Sequence, residues 1–319
     1  MPKVSVIVPV YGVEKYIERC ARSLFEQTLD DIEYLFIDDC TPDKSVEILK
    51  KVLEEYPNRK EQVIIHRMEQ NSGQAVVRKW GMQNAKGEYA IHCDSDDWIE
   101  KDIYQILYHI AKTTDSDIVF CDYFLEYSDG RSIPYHRNIP IKSTKYLIGN
   151  MLLGYYDANP LWGALVKSKL MIGINYPLGN QGEDSVIMMQ LIYKASKLYY
   201  VKRPCYHYFI NEYSITRNTS IDKVINRVNQ SVSNVDTIQC FLEQKNLASE
   251  FTEHLVVYKF KIRCFLWPYM KNKLCRSFWS SVFPEINGKI LSNKSLKPTY
   301  KLYEILYRLG VSSFFCKYI

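Results

Sequence analysis

Several absences bound this 319-residue chain. Its nine cysteines include no C-x-x-C pair, so neither zinc ribbons nor dithiol redox chemistry has a starting point. An odd number suits a closed disulfide framework poorly. Cys93 and Cys121 lie in apolar, strand-like runs, and the thiols are expected reduced and mostly buried, as in a cytoplasmic protein. No apolar run approaches the ~20 residues that span a bilayer. A signal peptide is not expected, because Pro9, Glu14 and Lys15 interrupt the start and no small-residue cleavage site follows. Neither G-x-G-x-x-G nor G-K-[ST] occurs, which weakens dehydrogenase, kinase and ATPase readings. Internal repeats and low-complexity segments are missing too.

What is present is ordinary globular composition, 47% hydrophobic and 24% charged, enough for about two domains. The net charge of +5 hides an asymmetry. Residues 251–319 carry twelve Lys and Arg against three acids, whereas residues 1–250 carry 29 against 33. Aromatics concentrate in the same basic stretch, with 15 in its 69 residues. The two parts are expected to do different work.

The β-branched run Val4–Val10 reads as a buried strand, and residues 33–37, 63–66, 89–93 and 118–121 as further strands. Helical spacing covers 13–27, 45–56, 73–84 and 103–113, with Asp43 capping the second of these. Such alternation predicts a parallel α/β sheet whose ligands bind beyond the carboxyl ends of the strands. Tyr11, Asp38 with Asp39, and the cluster at 94–97 all follow strands, so they should share one crevice. Residues 123–182 are less regular. A helix starts at Glu183, 198–208 is strand-like, and the pattern is helical from about Ile221. A boundary is expected near 217, giving domains 1–217 and 218–319.

Asp94, Ser95, Asp96 and Asp97 place three carboxylates within four residues. They repel one another unless a hard cation such as Mg²⁺ or Mn²⁺ sits there; a solvated turn is the alternative. Asp38-Asp39 can accept hydrogen bonds from a nucleobase or ribose, or simply shape the turn before Thr41-Pro42-Asp43. Clustered strand-end aspartates also occur in phosphoacceptor receiver modules. Arg78, inside the helix behind Gly73, can clamp a phosphate or make a surface ion pair. Glu183 and Asp184 open a helix, where the free N–H groups favour an ionised carboxylate. That suits either a general base or a plain cap.

Taken in order, these pieces resemble the family 2 inverting glycosyltransferases of bacterial surface-polysaccharide type, with a GT-A fold. The matching residues are Val4 to Tyr11, Glu33 to Asp43, Asn71 and Gly73 with Arg78 and Gly81, Ala85 to Tyr89, and Asp94 to Asp97. Leu161-Trp162, Glu183-Asp184, Tyr206-His207-Tyr208 and Ser214-Ile215-Thr216 follow. The resemblance implies a Rossmann-like mixed sheet with flanking helices and a mainly helical C-terminal region. It implies that Pro9, Tyr11 and Asp39 hold the nucleotide base end, with Asp94 near the ribose and Arg78 near the nucleotide. Asp96 would be the main ligand of Mn²⁺ or Mg²⁺, assisted by Asp97. Asp184 would be the base, with Glu183 supporting it or contacting the acceptor; Trp162 and His207 would lie on the acceptor side, with a place near the metal or diphosphate, or plain packing, as the alternatives for His207. Departures occur at Cys40-Thr41, Lys79 and Gly163-Ala164, where the family often has Gly-Ser, Asn and Asn-Lys.

The function so implied is inverting, metal-dependent transfer from a nucleotide sugar, with uridine diphosphate the expected carrier, to a glycan or lipid-linked acceptor. A sugar nucleotidyltransferase and a catalytically degenerate scaffold are the alternatives. The basic, aromatic stretch with Trp267, Tyr269, Phe278, Trp279, Phe314 and Phe315 suits peripheral contact with an anionic membrane, or a helical domain with an aromatic core and a basic face. Nucleic acid is not an expected partner, because no recognition motif accompanies the charge.

Overall fold

The computed structural model describes residues 1–155, 158–177, 179–210 and 220–316. It divides into two compact units. One contains Met1–Leu147, Tyr156–Tyr176 and Ile187–Glu212; the other contains Ile148–Tyr155, Pro177–Val186 and Tyr213–Ile319. The expected boundary at 217 and the motif at 214–216 lie outside the described residues.

The first unit alternates strands and helices as the apolar runs require. β1 (Val4–Val10), α1 (Ile17–Phe25), β2 (Ile32–Asp38), α2 (Ser45–Glu54), β3 (Val63–Arg67), α3 (Gln74–Asn84) and β4 (Tyr89–His92) come first. β5 (Trp98–Ile99), α4 (Ile103–Thr114), β6 (Ile118–Glu126), β7 (Ser132–Tyr135), β8 (Ala164–Lys167) and β9 (Leu198–Phe209) follow, while α5 (Thr144–Leu153) and α6 (Glu183–Lys194) are each divided between the two units. The described residues form a nine-stranded sheet in the order β3-β2-β1-β4-β8-β6-β9-β5, with β7 beside β6.

β3, β2, β1 and β4 are parallel, as the alternation predicts. The sheet as a whole is mixed, because β8 runs antiparallel to both β4 and β6. Four residues are too few to display a period, so β8 gave no signal in the pattern. β6 and β9 are parallel neighbours, and β5 pairs antiparallel with β9.

On one face, Val4, Val6, Val8, Tyr34, Phe36, Tyr89 and Ile91 pack with Ile17, Ala21 and Leu24 of α1 and Leu107 and Ala111 of α4. On the other face α3 comes close to β1: a Cβ at Gly81 would collide with Ile7. Glycine there lets the helix that carries Arg78 lie against the strand.

The second unit is helical. It contains α7 (Ile221–Gln244), α8 (Thr252–Arg263), α9 (Lys273–Trp279), α10 (Pro298–Arg308) and α11 (Ser312–Phe315). Its core joins Val224, Val228 and Val235 of α7 to Phe260, Trp267 and Trp279. Trp267 stacks on Tyr303 at 4.3 Å between ring centroids. Trp267 and Trp279 are therefore core residues, while Phe314 and Phe315 stay exposed. No helix among the described residues is long and apolar enough to cross a membrane. All nine thiols are free, and six of them are buried.

Candidate functional site

Parallel register brings three strand ends side by side. Val10 of β1 pairs with Asp38 of β2, and Ile7 of β1 pairs with His92 of β4. The loops that follow carry Tyr11, Asp39 and the acidic turn at 94–97, so most of the residues singled out from the sequence do share one edge.

The loops are cross-linked. The Gly12 N–H donates to Thr41 Oγ1 at 2.9 Å, and the Val13 N–H to Ser45 Oγ at 3.1 Å. Asp43 accepts from the Glu14 N–H at 2.9 Å and the Ser45 N–H at 3.1 Å. Burial pushes its carboxyl up, but hydrogen bonds from Ser45, Thr41 and Glu14 outweigh that and hold it below its ordinary range. Tyr11 is left 50% exposed at the lip.

Asp38 and Asp39 divide their work. Asp38 is a turn residue: it accepts from the Thr41 N–H at 2.7 Å and pairs with Arg67 at 2.7 Å. Asp39 accepts from the Ser72 and Gly73 N–H groups at 2.7 and 2.9 Å, which fastens the start of α3 to the end of β2. Gly73 has φ of +83°, a conformation glycine adopts without strain.

Arg78, one turn into α3, is 1% exposed and donates to Asp94 Oδ1 at 2.8 Å. It thus orders the acidic turn from behind. Beside it His92 is buried with neither ring nitrogen partnered among the described residues, and burial, then the Arg78 charge, pushes its pKa well below the usual imidazole range. Ser95 Oγ donates to the Pro9 carbonyl at 2.6 Å, tying β1 to the turn.

Asp97 is fully buried, with both oxygens engaged. The Tyr206 hydroxyl donates to Oδ2 at 2.6 Å and the Phe209 N–H to Oδ1 at 2.7 Å. Burial, then the Asp96 and Asp94 charges, pushes its carboxyl well above the usual range. Asp94 and Asp96 are half-buried. Among the described residues no three Asp, Glu, His or Cys side chains form a ready-made cation cage. Mg²⁺ and Mn²⁺, however, bind through one or two carboxylates and take their remaining ligands from water and substrate phosphates. Half-buried Asp96 fits that mode, whereas Asp97, expected to assist, has both oxygens engaged by Tyr206 and Phe209.

Trp162 and His207 are packed. Trp162 lies parallel to Tyr206 and Tyr208, with centroids at 4.6 and 5.3 Å, and edge-on to Tyr123 at 4.9 Å. The His207 ring stacks on Trp98 at 4.9 Å and Phe124 at 4.8 Å, its neighbours in sheet register. Its nitrogens meet Glu126 at 2.7 Å and Glu100 at 3.1 Å.

Glu183 and Asp184 stand in the first turn of α6, after Gly182 with φ of +77°. This turn groups with the second unit. Glu183 is buried and Asp184 half-buried. The Tyr258 phenol of α8 is pushed up by burial, with the Asp184 charge adding to the shift.

Arg19 was not apparent from the sequence. Its guanidinium donates to the Asp96 carbonyl at 2.9 Å and lies 3.6 Å over Trp98. One arginine on a helix face offers no local signal.

The fold described is GT-A-like, and comparison with known proteins agrees. The family model for glycosyl transferase family 2 matches residues 5–166. The glycosyltransferase GlyA of Streptococcus pneumoniae is 27% identical over 267 residues, which is 81% of this chain but only 37% of that protein. A cholesterol galactosyltransferase of Borreliella burgdorferi is 30% identical, covering 78% of this chain and 70% of its own length. The crystal structure of Staphylococcus aureus TarS residues 1–349 with UDP-GlcNAc superposes with a TM-score of 0.61 at 17% identity, over 97% of this chain and 92% of that one. The chain belongs to glycosyl transferase family 2.

Proposed function

We propose that this chain transfers a sugar, with inversion, from a uridine diphosphate sugar to a hydroxyl of a glycan or lipid-linked acceptor. The observation that carries this is the convergence of Tyr11, Asp39, Arg78, Asp94 and Asp96 on one edge of β1, β2 and β4. The sugar nucleotide in the TarS structure and the lipid named for the Borreliella relative support the two substrate classes.

In this reading Pro9, Tyr11 and Asp39 line the base end, with the Tyr11 ring free to lie against a nucleobase. Asp94 meets the ribose, held in place by Arg78. Asp96 is the main holder of Mn²⁺ or Mg²⁺, with Asp97 buried behind it. A divalent cation, when bound, offsets charge on the departing diphosphate. Asp184 accepts the acceptor hydroxyl proton as that oxygen bonds to the anomeric carbon, and the bond from that carbon to the diphosphate breaks. The helix start favours the ionised form of Asp184, and Glu183 supports it. Trp162 and His207 stiffen the acceptor side through their stacks.

The test is a thermal-shift screen of nucleotide sugars with and without Mn²⁺, followed by an assay of UDP release. Specific binding raises the melting temperature by mass action. Metal-dependent stabilisation by a UDP sugar is expected; no stabilisation by any nucleotide sugar would overturn the proposal.

A further inference from the structure

α10 is inverted in part: one carboxylate faces the core while some of its aliphatic side chains face outward. Its buried side carries Tyr303 and the carboxylate Glu304, while Leu302, Ile305 and Leu309 just beyond its end are 41%, 40% and 68% exposed. At 3.6 residues per turn, positions 302, 305 and 309 form one narrow stripe. The inversion is stabilised from inside. Glu304 accepts from Trp279 Nε1 at 3.3 Å and Arg308 Nε at 2.8 Å, and lies 3.9 Å from the buried Arg263 guanidinium. Tyr303 and Tyr307 pack on Trp267 and Trp279. Leu306 packs on the core beside these rings, and Leu302, Ile305 and Leu309 are left on the outward side of the helix. Phe314 and Phe315 of α11 add rings that are 71% and 43% exposed.

Charge identifies the occupant. Between 289 and 308 stand Lys289, Lys294, Lys297, Lys301 and Arg308, against the single acid Glu304, which is buried. Lys289, Lys294 and Lys297 are exposed. Lys301 and Arg308 fall along one margin of the apolar stripe, at helical positions one residue before Leu302 and Leu309. A second copy of the chain would set these cations against their own equivalents, since a two-fold interface pairs a surface with itself. An apolar stripe edged by Lys and Arg instead suits the interface of an anionic bilayer, where the aliphatic residues enter the acyl boundary and the cations meet lipid phosphates.

We propose that α10 and α11 form a peripheral docking surface for an anionic lipid bilayer, with Leu302, Ile305, Leu309, Phe314 and Phe315 as the inserting residues. This deepens the lipid-linked form of the function proposed above, and rests on it only for what the membrane presents.

The test is sedimentation of the full chain with vesicles of phosphatidylglycerol and phosphatidylcholine, and with vesicles of phosphatidylcholine alone. Binding is expected to the first and not to the second. Combining Leu302→Gln, Ile305→Gln and Leu309→Gln should weaken it about tenfold or more with an unchanged circular dichroism spectrum and melting temperature, since all three side chains are exposed. Lys301→Glu, alone, should weaken it and reduce its salt dependence. Equal binding by the triple variant, or no binding by the wild type, would overturn the proposal. So would a wild-type dimer in vesicle-free buffer that the triple variant converts to monomer, since the stripe would then serve a second copy. UDP release from donor in vesicle-free buffer reads the transferase function separately, so failure of either leaves the other standing.

Discussion

The Tyr206 hydroxyl joins two residues of the acidic turn. It accepts the Asp94 N–H at 3.0 Å and donates to Asp97 Oδ2 at 2.6 Å. β9 thereby holds the turn that follows β4, although more than a hundred residues separate them.

Tyr206→Phe keeps the ring on Trp162 and removes only the hydroxyl. It leaves a buried carboxylate oxygen short of a donor, which costs about 1–3 kcal/mol. Urea denaturation should show a loss of that size. A variant as stable as wild type would mean that the hydroxyl does not brace the turn.

Asp96→Ala should lower UDP affinity in Mn²⁺ about tenfold or more, with little change in EDTA, because a carboxylate is then missing from the cation's ligands. Calorimetry in both buffers separates the two contributions. Equal affinity of variant and wild type in Mn²⁺ would remove Asp96 from the cation.

Asp184→Asn should reduce turnover by roughly 10²–10⁴-fold, the usual contribution of a positioned base, while UDP binding stays near normal. Retention of the wild-type rate would exclude the base role.

Asp43 supplies a pH signature. Its carboxyl is held below the ordinary range in the fold, so its stabilisation is complete above the unfolded value of about 4. It is lost as pH falls through the lower folded value. The stability gap between wild type and Asp43→Asn should be widest near neutrality and close in acid. A gap independent of pH would show that the Asp43 charge is not involved.

Glu304→Ala should destabilise the helical unit by about 3–5 kcal/mol, because it removes the carboxylate facing the buried Arg263 guanidinium. Thermal melts would detect it. A neutral outcome would mean that Arg263 is satisfied by the Val282 and Phe283 carbonyls it already meets.

The parallel half of the sheet was legible in the sequence because β1, β2 and β4 are continuous apolar runs that end in polar residues. The strand-end positions of Tyr11, Asp39 and Asp94 follow from that pattern alone. β8 was not legible, and neither was the pairing of β6 with β9, because register between strands about eighty residues apart leaves no local periodicity. The same limit applies to Trp162 and His207. The family resemblance implied an acceptor-side place for both, while their packing depends on cross-strand neighbours such as Tyr206 and Phe124.

The charge asymmetry behaves differently. The sequence determined that residues 251–319 are basic and aromatic, since composition requires no fold. Only the tertiary structure decided which side chains serve the core and which face solvent. Trp267, Trp279 and even Glu304 are drawn inside, where ring stacking and the Arg263 charge hold them. Leu302, Ile305 and Leu309 are consequently left outside. A helix can bury only one face, and long-range partners choose which.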